Sequence, residues 1–193
     1  MSIKRLVPLF GVLLLAFGQT VPAAQRVTPS VPGASGMLTQ SWFMESSNDL
    51  SNDLAAAAKR GRILAIVWEQ LGCYYCKLMH EVNFQDHDVV NYVRGRFDFV
   101  QLDMRGDRVV MDLGGRATTE AMLARANRVT GTPTVQFLDR DGKEVFRMPG
   151  YAKPPLFLAI FEYVADKAYK SMTLRQYIVA KIADAKASLK QTN

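Results

Sequence analysis

Residues 62–80 read RILAIVWEQLGCYYCKLMH, and the fold is decided within them. Arg62 to Trp68 is a short, nearly unbroken apolar run behind Gly61, the pattern of a strand covered on both faces of a sheet. Cys73 and Cys76 follow directly, and from Cys76 through Asn83 the apolar spacing turns helical. These are the chain's two cysteines. Scattered at random in a chain of this length, two cysteines would have this separation in about one case in a hundred. A disulfide across so short a loop constrains the unfolded chain little, so stapling does not explain the spacing. Chemistry at the pair does.

Working outward, Asn48 to Arg60 (NDLSNDLAAAAKR) carries cap-type residues, an alanine run and terminal positive charge, which predicts a helix closing at Gly61. A second helical piece runs from Asp86, a plausible cap, to Arg96. Phe97 to Leu102 reads as a strand, Thr118 to Val129 as a helix capped by Thr118 or Thr119, and Pro133 to Leu138 as another strand. The turn Asp139 to Gly142 (DRDG) leads into Lys143 to Met148 and makes a β-hairpin. Pro154 to Lys170 is a helix with Pro154 or Pro155 in its first turn. The order α-β-α-β-α-β-β-α predicts an α/β fold: a central mixed sheet, helices on both faces, parallel pairings from the βα units and an antiparallel hairpin at one end. Residues 45–170 form this domain. Over 171–193, Thr173 to Leu189 is amphipathic and forms a tail helix, expected to pack on the domain, with contact to a membrane protein or another partner as the alternatives.

The N-terminus has the layout of a secretory signal over residues 1–23. Lys4 and Arg5 precede the apolar run Leu6 to Phe17, and Val21, Pro22, Ala23, Ala24 supply small residues for cleavage after Ala23, or else after Ala24. Twelve helical residues rise about 18 Å, short of a hydrocarbon core of roughly 30 Å, which argues against a retained anchor. No cysteine lies near the cleavage site to carry a lipid. A protein exported this way from a bacterium resides in the periplasm. Residues 24–44 read as a flexible leader, with little order expected from Gln25 to Gly36, where Pro29, Pro32, Gly33 and Gly36 fall. The composition, 49% hydrophobic and 22% charged over 193 residues, is that of one globular domain and excludes a largely disordered chain. The net charge of +6 is spread among acids instead of gathered in a basic block, so no nucleic-acid partner is read from it.

Strand, C-x-x-C opening a helix, Gly131-Thr132-Pro133-Thr134 entering a strand, hairpin and last helix: in this order the segment from Ile63 to Tyr169 resembles the thioredoxin superfamily. More narrowly, WEQLGCYYCKLMH, GTPT and GYAKPPLFLAIFEYVADKAY resemble the periplasmic thioredoxin-like proteins of bacterial sulfur-oxidation (Sox) clusters. The resemblance implies a thiol–disulfide oxidoreductase of the protein-disulfide reductase type. Its one redox group is the Cys73–Cys76 disulfide, with no further cofactor; its substrates are protein thiols and disulfides, and its electrons come from a membrane-borne thiol carrier. Cys73 at the helix N-terminus would be the exposed thiolate, stabilised by free N–H groups, and Cys76, one turn on, the more buried resolving thiol. Pro133 would be cis beside the disulfide, with Thr132 presenting backbone groups to the incoming peptide.

Two departures qualify that pattern. Thioredoxins carry an acid in the buried strand as proton acceptor, where this chain has Ala65, Ile66 and Val67. Glu69, placed just past the strand, is the substitute: either a proton relay to Cys76 through water or an exposed, solvated acid. Tyr74 and Tyr75 replace Gly-Pro, and either form a flat substrate-facing surface or pack over the helix start, Tyr74 being the more exposed. His80 and His87 suggest a Cys₂His₂ zinc set, but C-x₃-H-x₆-H departs from known spacings, so no metal is expected and the histidines read as solvated or locally bonded. The alternatives to a reductase are an isomerase or oxidase of the same fold, or a redox-inert binding module. With no histidine between the cysteines, one source of thiolate stabilisation is missing, which favours the reductase.

Overall fold

The structure is a computed structural model and describes residues 29–33 and 35–191. The signal read over 1–23, and the leader up to residue 28, lie outside the described residues. In chain order the elements are a hairpin of β1 (Val31–Pro32) and β2 (Leu38–Thr39), then α1 (Leu50–Lys59), β3 (Ile63–Glu69) and α2 (Tyr74–Glu81). A 3₁₀ turn (Asn83–Gln85) leads to α3 (His87–Val93), β4 (Phe97–Asp103), β5 (Val109–Met111), β6 (Ala117–Thr119) and α4 (Glu120–Ala126). The chain ends in β7 (Thr134–Leu138), β8 (Glu144–Pro149), α5 (Pro154–Ala165), a second 3₁₀ turn (Ala168–Lys170) and α6 (Leu174–Gln191). The central sheet has the order β4-β3-β7-β8. Strands β3 and β4 run parallel, as a βα unit requires, whereas β7 is antiparallel to both β3 and β8. This is the α/β arrangement that the order of elements predicts.

Strand β3 runs through the middle of the sheet and is buried from Leu64 to Glu69. Its side chains alternate between two cores. Ala65 and Val67 face Met79, Phe84, Val93, Phe157 and Phe161, while Leu64, Ile66 and Trp68 face Leu50, Ala57, Leu123 and Ala124. The first core is aromatic. Phe161 lies 4.8, 4.9 and 4.6 Å, centroid to centroid, from Phe97, Phe137 and Phe157, which fixes α5 on the sheet.

Local chemistry sets the ends. Asp49 caps α1 by accepting from the Ser51 and Asn52 amides, so the helix starts two residues later than expected. Asp86 caps α3 and Thr119 caps α4, both among the expected caps. Three readings need correction. The helix read from Thr118 to Val129 is shorter because Thr118 pairs with Val110 in the hairpin β5–β6, and Arg128 takes a left-handed φ of 54° beyond the other end. That hairpin, closed by Asp112 accepting from the Gly114 and Arg116 amides, has no counterpart among the elements read from the sequence. The last helix stops at Ala165 because Lys167 adopts a φ of 55°, and the chain turns before α6.

The leader read over 24–44 is also corrected in its second half. Met37 and Gln40 are buried, and Trp42 and Phe43 pack edge-on against Phe84 at 5.5 and 5.3 Å. Two large rings outweigh the Gly and Pro content of the residues before them. Helix α6 holds the domain through Tyr177, which is buried and donates to Asp166 Oδ2 at 2.5 Å, and through the Lys181–Glu162 ion pair. Burial and the Asp166 carboxylate hold the Tyr177 phenol well above its ordinary range. Val179, Ile182 and Leu189, farther along, are exposed.

Since Phe161 is fully buried among four rings, Phe161→Ala is expected to cost about 3–5 kcal/mol. The shift of the urea midpoint measures it.

Candidate functional site

The site is built where β3 ends. Gly72, at φ 77°, turns the chain in a conformation that favours glycine, and Cys73 then caps α2, its Sγ accepting from the Cys76 amide at 3.1 Å. The Lys77 amide bonds the Cys73 carbonyl, closing the first turn. Cys73 and Cys76 form a disulfide. Cys73 is half-buried and Cys76 is buried, the asymmetry expected of an attacking and a resolving sulfur. Across from the pair, the Thr132–Pro133 peptide is cis, and the Thr132 hydroxyl donates to Cys73 Sγ at 3.3 Å. This loop is tied down on both sides: the Gly150 amide bonds the Pro133 carbonyl at 2.7 Å, and the Thr134 hydroxyl bonds the Gly131 carbonyl at 2.8 Å.

Tyr74 and Tyr75 are 66% and 55% exposed, so neither packs into the domain at the helix start. They meet edge to face, and Tyr75 stacks on Tyr151 at 6.1 Å. Burial, followed by the Tyr74 phenol, raises the Tyr151 hydroxyl above its ordinary pKa. Leu71, 68% exposed, adds a further apolar side chain beside Cys73, in the cleft that Tyr74 also lines.

Glu69 is neither past the strand nor solvated. It is the last residue of β3 and only 1% exposed, on the same face as Ala65 and Val67. Its carboxylate accepts from Gln101 Nε2 at 2.8 Å and meets His80 Nε2 at 2.9 and 3.2 Å. His80 is fully buried, so its solvated reading is corrected and the locally bonded one describes it. Its Nδ1 faces Gln40 Nε2 at 3.1 Å, and Phe43 and Phe84 flank the ring. His87 is exposed at the start of α3. Among the described residues no group of three or more His, Cys, Asp or Glu is placed to hold a metal ion. Sequence reasoning missed His80, Gln40 and Gln101 as part of the site. Two signals bear on it: His80 is four residues from Cys76 on one helix face, and Glu69 shares a strand face with Val67. Glu69, Cys76 and His80 line one open cleft of about 340 Å³, walled by Gly36, Met37 and Leu38 of the first hairpin.

A disulfide at a helix N-terminus, one sulfur accessible and the other buried, faced by a cis-proline loop on a mixed sheet, defines a thioredoxin-type dithiol site. The chain matches the thioredoxin-like domain family over residues 50–165 and belongs to it. Among solved structures it is similar to a thioredoxin-fold protein from Helicobacter pylori, with 19% identity and a TM-score of 0.61 over 74% of this chain and 93% of that one. It is similar also to a putative disulphide-isomerase from Bacteroides thetaiotaomicron, with 23% identity and a TM-score of 0.51 over 63% and 89% of the two chains. Both likenesses are of fold. No curated protein matches the chain significantly.

Thr132 Oγ1 points a hydrogen at the sulfur that would carry the thiolate charge. Thr132→Val is expected to slow alkylation of Cys73 in the reduced protein at pH 6 by about fivefold, the equivalent of a hydrogen bond worth about 1 kcal/mol. An unchanged rate would remove Thr132 from the chemistry.

Proposed function

We propose that this protein is a thiol–disulfide oxidoreductase that works as a protein-disulfide reductase. The observation that carries the reading is the Cys73–Cys76 pair itself, an N-cap sulfur within reach of solvent joined to a buried sulfur one turn on. In the reduced protein the Cys73 thiolate attacks a partner disulfide, one partner sulfur leaves as a thiolate and takes up a proton, and a mixed disulfide remains. Cys76 then attacks Cys73 Sγ, releasing the second partner thiol. The partner gains two electrons and the Cys73–Cys76 pair loses them.

The reducing direction is supported by the surroundings of the pair. Neither intervening residue is basic, and the buried groups behind Cys76 include the Glu69 carboxylate, which disfavours a second negative charge on sulfur. A couple whose thiolate is poorly stabilised holds its disulfide firmly and is a reductant. The exposed Tyr74, Tyr75 and Leu71 offer an apolar rim to a protein substrate, with Thr132 and Pro133 supplying backbone for an added strand. We place the protein in the periplasm on the signal layout of residues 1–23, fed by a membrane-borne thiol donor. On the resemblance of residues 68–80 and 150–169 to the sulfur-oxidation thioredoxins, we place its substrate among sulfur-carrier cysteines.

Cys76→Ser is expected to trap partners as mixed disulfides and Cys73→Ser to trap none; equal trapping would overturn the assignment. Direction is read from equilibrium with glutathione: a potential below roughly −200 mV fits a reductase, and one near −120 mV defeats it in favour of an oxidase.

A further inference from the structure

Helix α6 docks on the domain through one side of its first two turns. Tyr177 packs on the Tyr163 ring at 5.5 Å and donates to Asp166, and Lys181, one turn on, pairs with Glu162. From Val179 to Lys190 every residue is exposed. At 3.6 residues per turn, Arg175, Val179, Ile182, Lys186, Leu189 and Lys190 fall in one sector of about 100°, turned away from the side that carries Tyr177 and Lys181. Val179, Ile182 and Leu189 are each more than half exposed. Asp184, the one acid of the helix, lies outside the sector. The outer face of α6 is therefore apolar and cationic at once.

That combination decides what it fits. A second copy of this chain would suit an apolar stripe, but three cations within the stripe would be set against three of the same sign. A bilayer surface that carries negative headgroups over acyl chains matches both halves: Lys and Arg stems reach up to the phosphates while the aliphatic side chains enter below them. No helix among the described residues is long and apolar enough to cross a membrane, so such a contact runs along the interface.

The domain at the root of α6 has the same sign. An open groove of about 860 Å³ there is lined by six bases and three acids. Lys167 and Lys170 come from the link between α5 and α6, and Arg140 and Lys143 from the β7–β8 turn. Of the acids, Asp166 accepts from Tyr177, and Asp139 accepts from the Asp141 and Lys143 amides. Charge that is dispersed along the sequence is thus gathered in space. Ile63 and Arg96 also line the groove and mark the starts of β3 and β4, so it lies at the end of the sheet opposite Cys73.

We propose that the outer face of α6 binds the surface of an anionic lipid bilayer. Val179 and Ile182 enter the acyl boundary, Arg175, Lys186 and Lys190 meet phosphate headgroups, and the bases of the groove add attraction at the root of the helix. The hold is reversible, because a few aliphatic side chains and charges bind far less tightly than a spanning helix. The dithiol, at the other end of β3, stays open to partners in the aqueous phase. None of this depends on the direction of exchange at Cys73 and Cys76.

Co-sedimentation with vesicles tests it, using the secreted form expected from the signal layout, residues 24–193, so that the apolar run Leu6 to Phe17 takes no part. Vesicles of phosphatidylcholine with about one-third phosphatidylglycerol are expected to bind the protein at least about tenfold more strongly than phosphatidylcholine alone at about 50 mM salt, and severalfold less at about 0.5 M. Lys186→Glu with Lys190→Glu, and separately Val179→Gln with Ile182→Gln, each lower the binding about tenfold. All four positions are exposed, so both variants keep the parent's rate of exchange with oxidised glutathione. Equal binding to the two kinds of vesicle, or none to either, overturns the proposal. Unchanged binding in the glutamate variant removes the charge, and unchanged binding in the glutamine variant leaves a site for any polyanion; either result overturns the bilayer reading. Sedimentation velocity without lipid is expected to show a monomer, and a dimer that the glutamine variant dissociates would assign the face to a second copy instead.

Discussion

Burial of β3 on both faces, with β4 along one edge and β7 along the other, leaves the C-terminal end of that strand with no freedom to shift. Its last side chain, Glu69, is carried into the interior by the same alternation that sends Ala65 and Val67 there. The chain then reverses at Gly72, the one conformation in the loop that favours glycine, and delivers Cys73 to the first free N–H groups of α2. A shift of the strand by one residue would exchange its two faces, moving the carboxylate away from α2. The position of the acid, the entry of the helix and the orientation of both sulfurs are thus consequences of one packed strand.

Much of this was legible because its causes are local. An unbroken apolar run reads as a covered strand, two cysteines three apart read as a couple, and Asp86 and Thr119 read as caps because side-chain oxygens at those positions accept amide hydrogens. What escaped depended on partners far along the chain. From local pattern Glu69 reads as lying just past the strand, with solvent as one of two surroundings, since acids are rarely buried; its burial is made tolerable by Gln101 and His80, which are 32 and 11 residues away. Trp42 and Phe43 read as part of a leader because Pro and Gly lie nearby, whereas the rings they pack against, Phe84 and Phe99, are more than forty residues on. Short β5 and β6, three residues each, are too brief for a period to declare itself.

The aromatic content is divided by purpose. Phe97, Phe99, Phe137, Phe157 and Phe161 pack ring against ring in the interior, which holds α5 on the sheet. Tyr74, Tyr75 and Tyr151 sit outside around the disulfide, where a hydroxyl can remain wet while the ring stays available for contact. Rigidity behind the sulfurs and adhesion in front of them come from the same class of side chain, separated by a single oxygen.

The wall of the cleft has a bearing on what counts as the unit of this protein. The stretch shared with the thioredoxin-like family begins at residue 50, yet Gly36, Met37 and Leu38 line the cavity beside Cys76, and Gln40 touches the imidazole within it. A fragment trimmed to the family boundary would keep every strand of the central sheet and both sulfurs while opening the back of the chamber to water. The inherited scaffold and the working chamber therefore have different lengths in this chain, and the extra dozen or so residues upstream belong to the second.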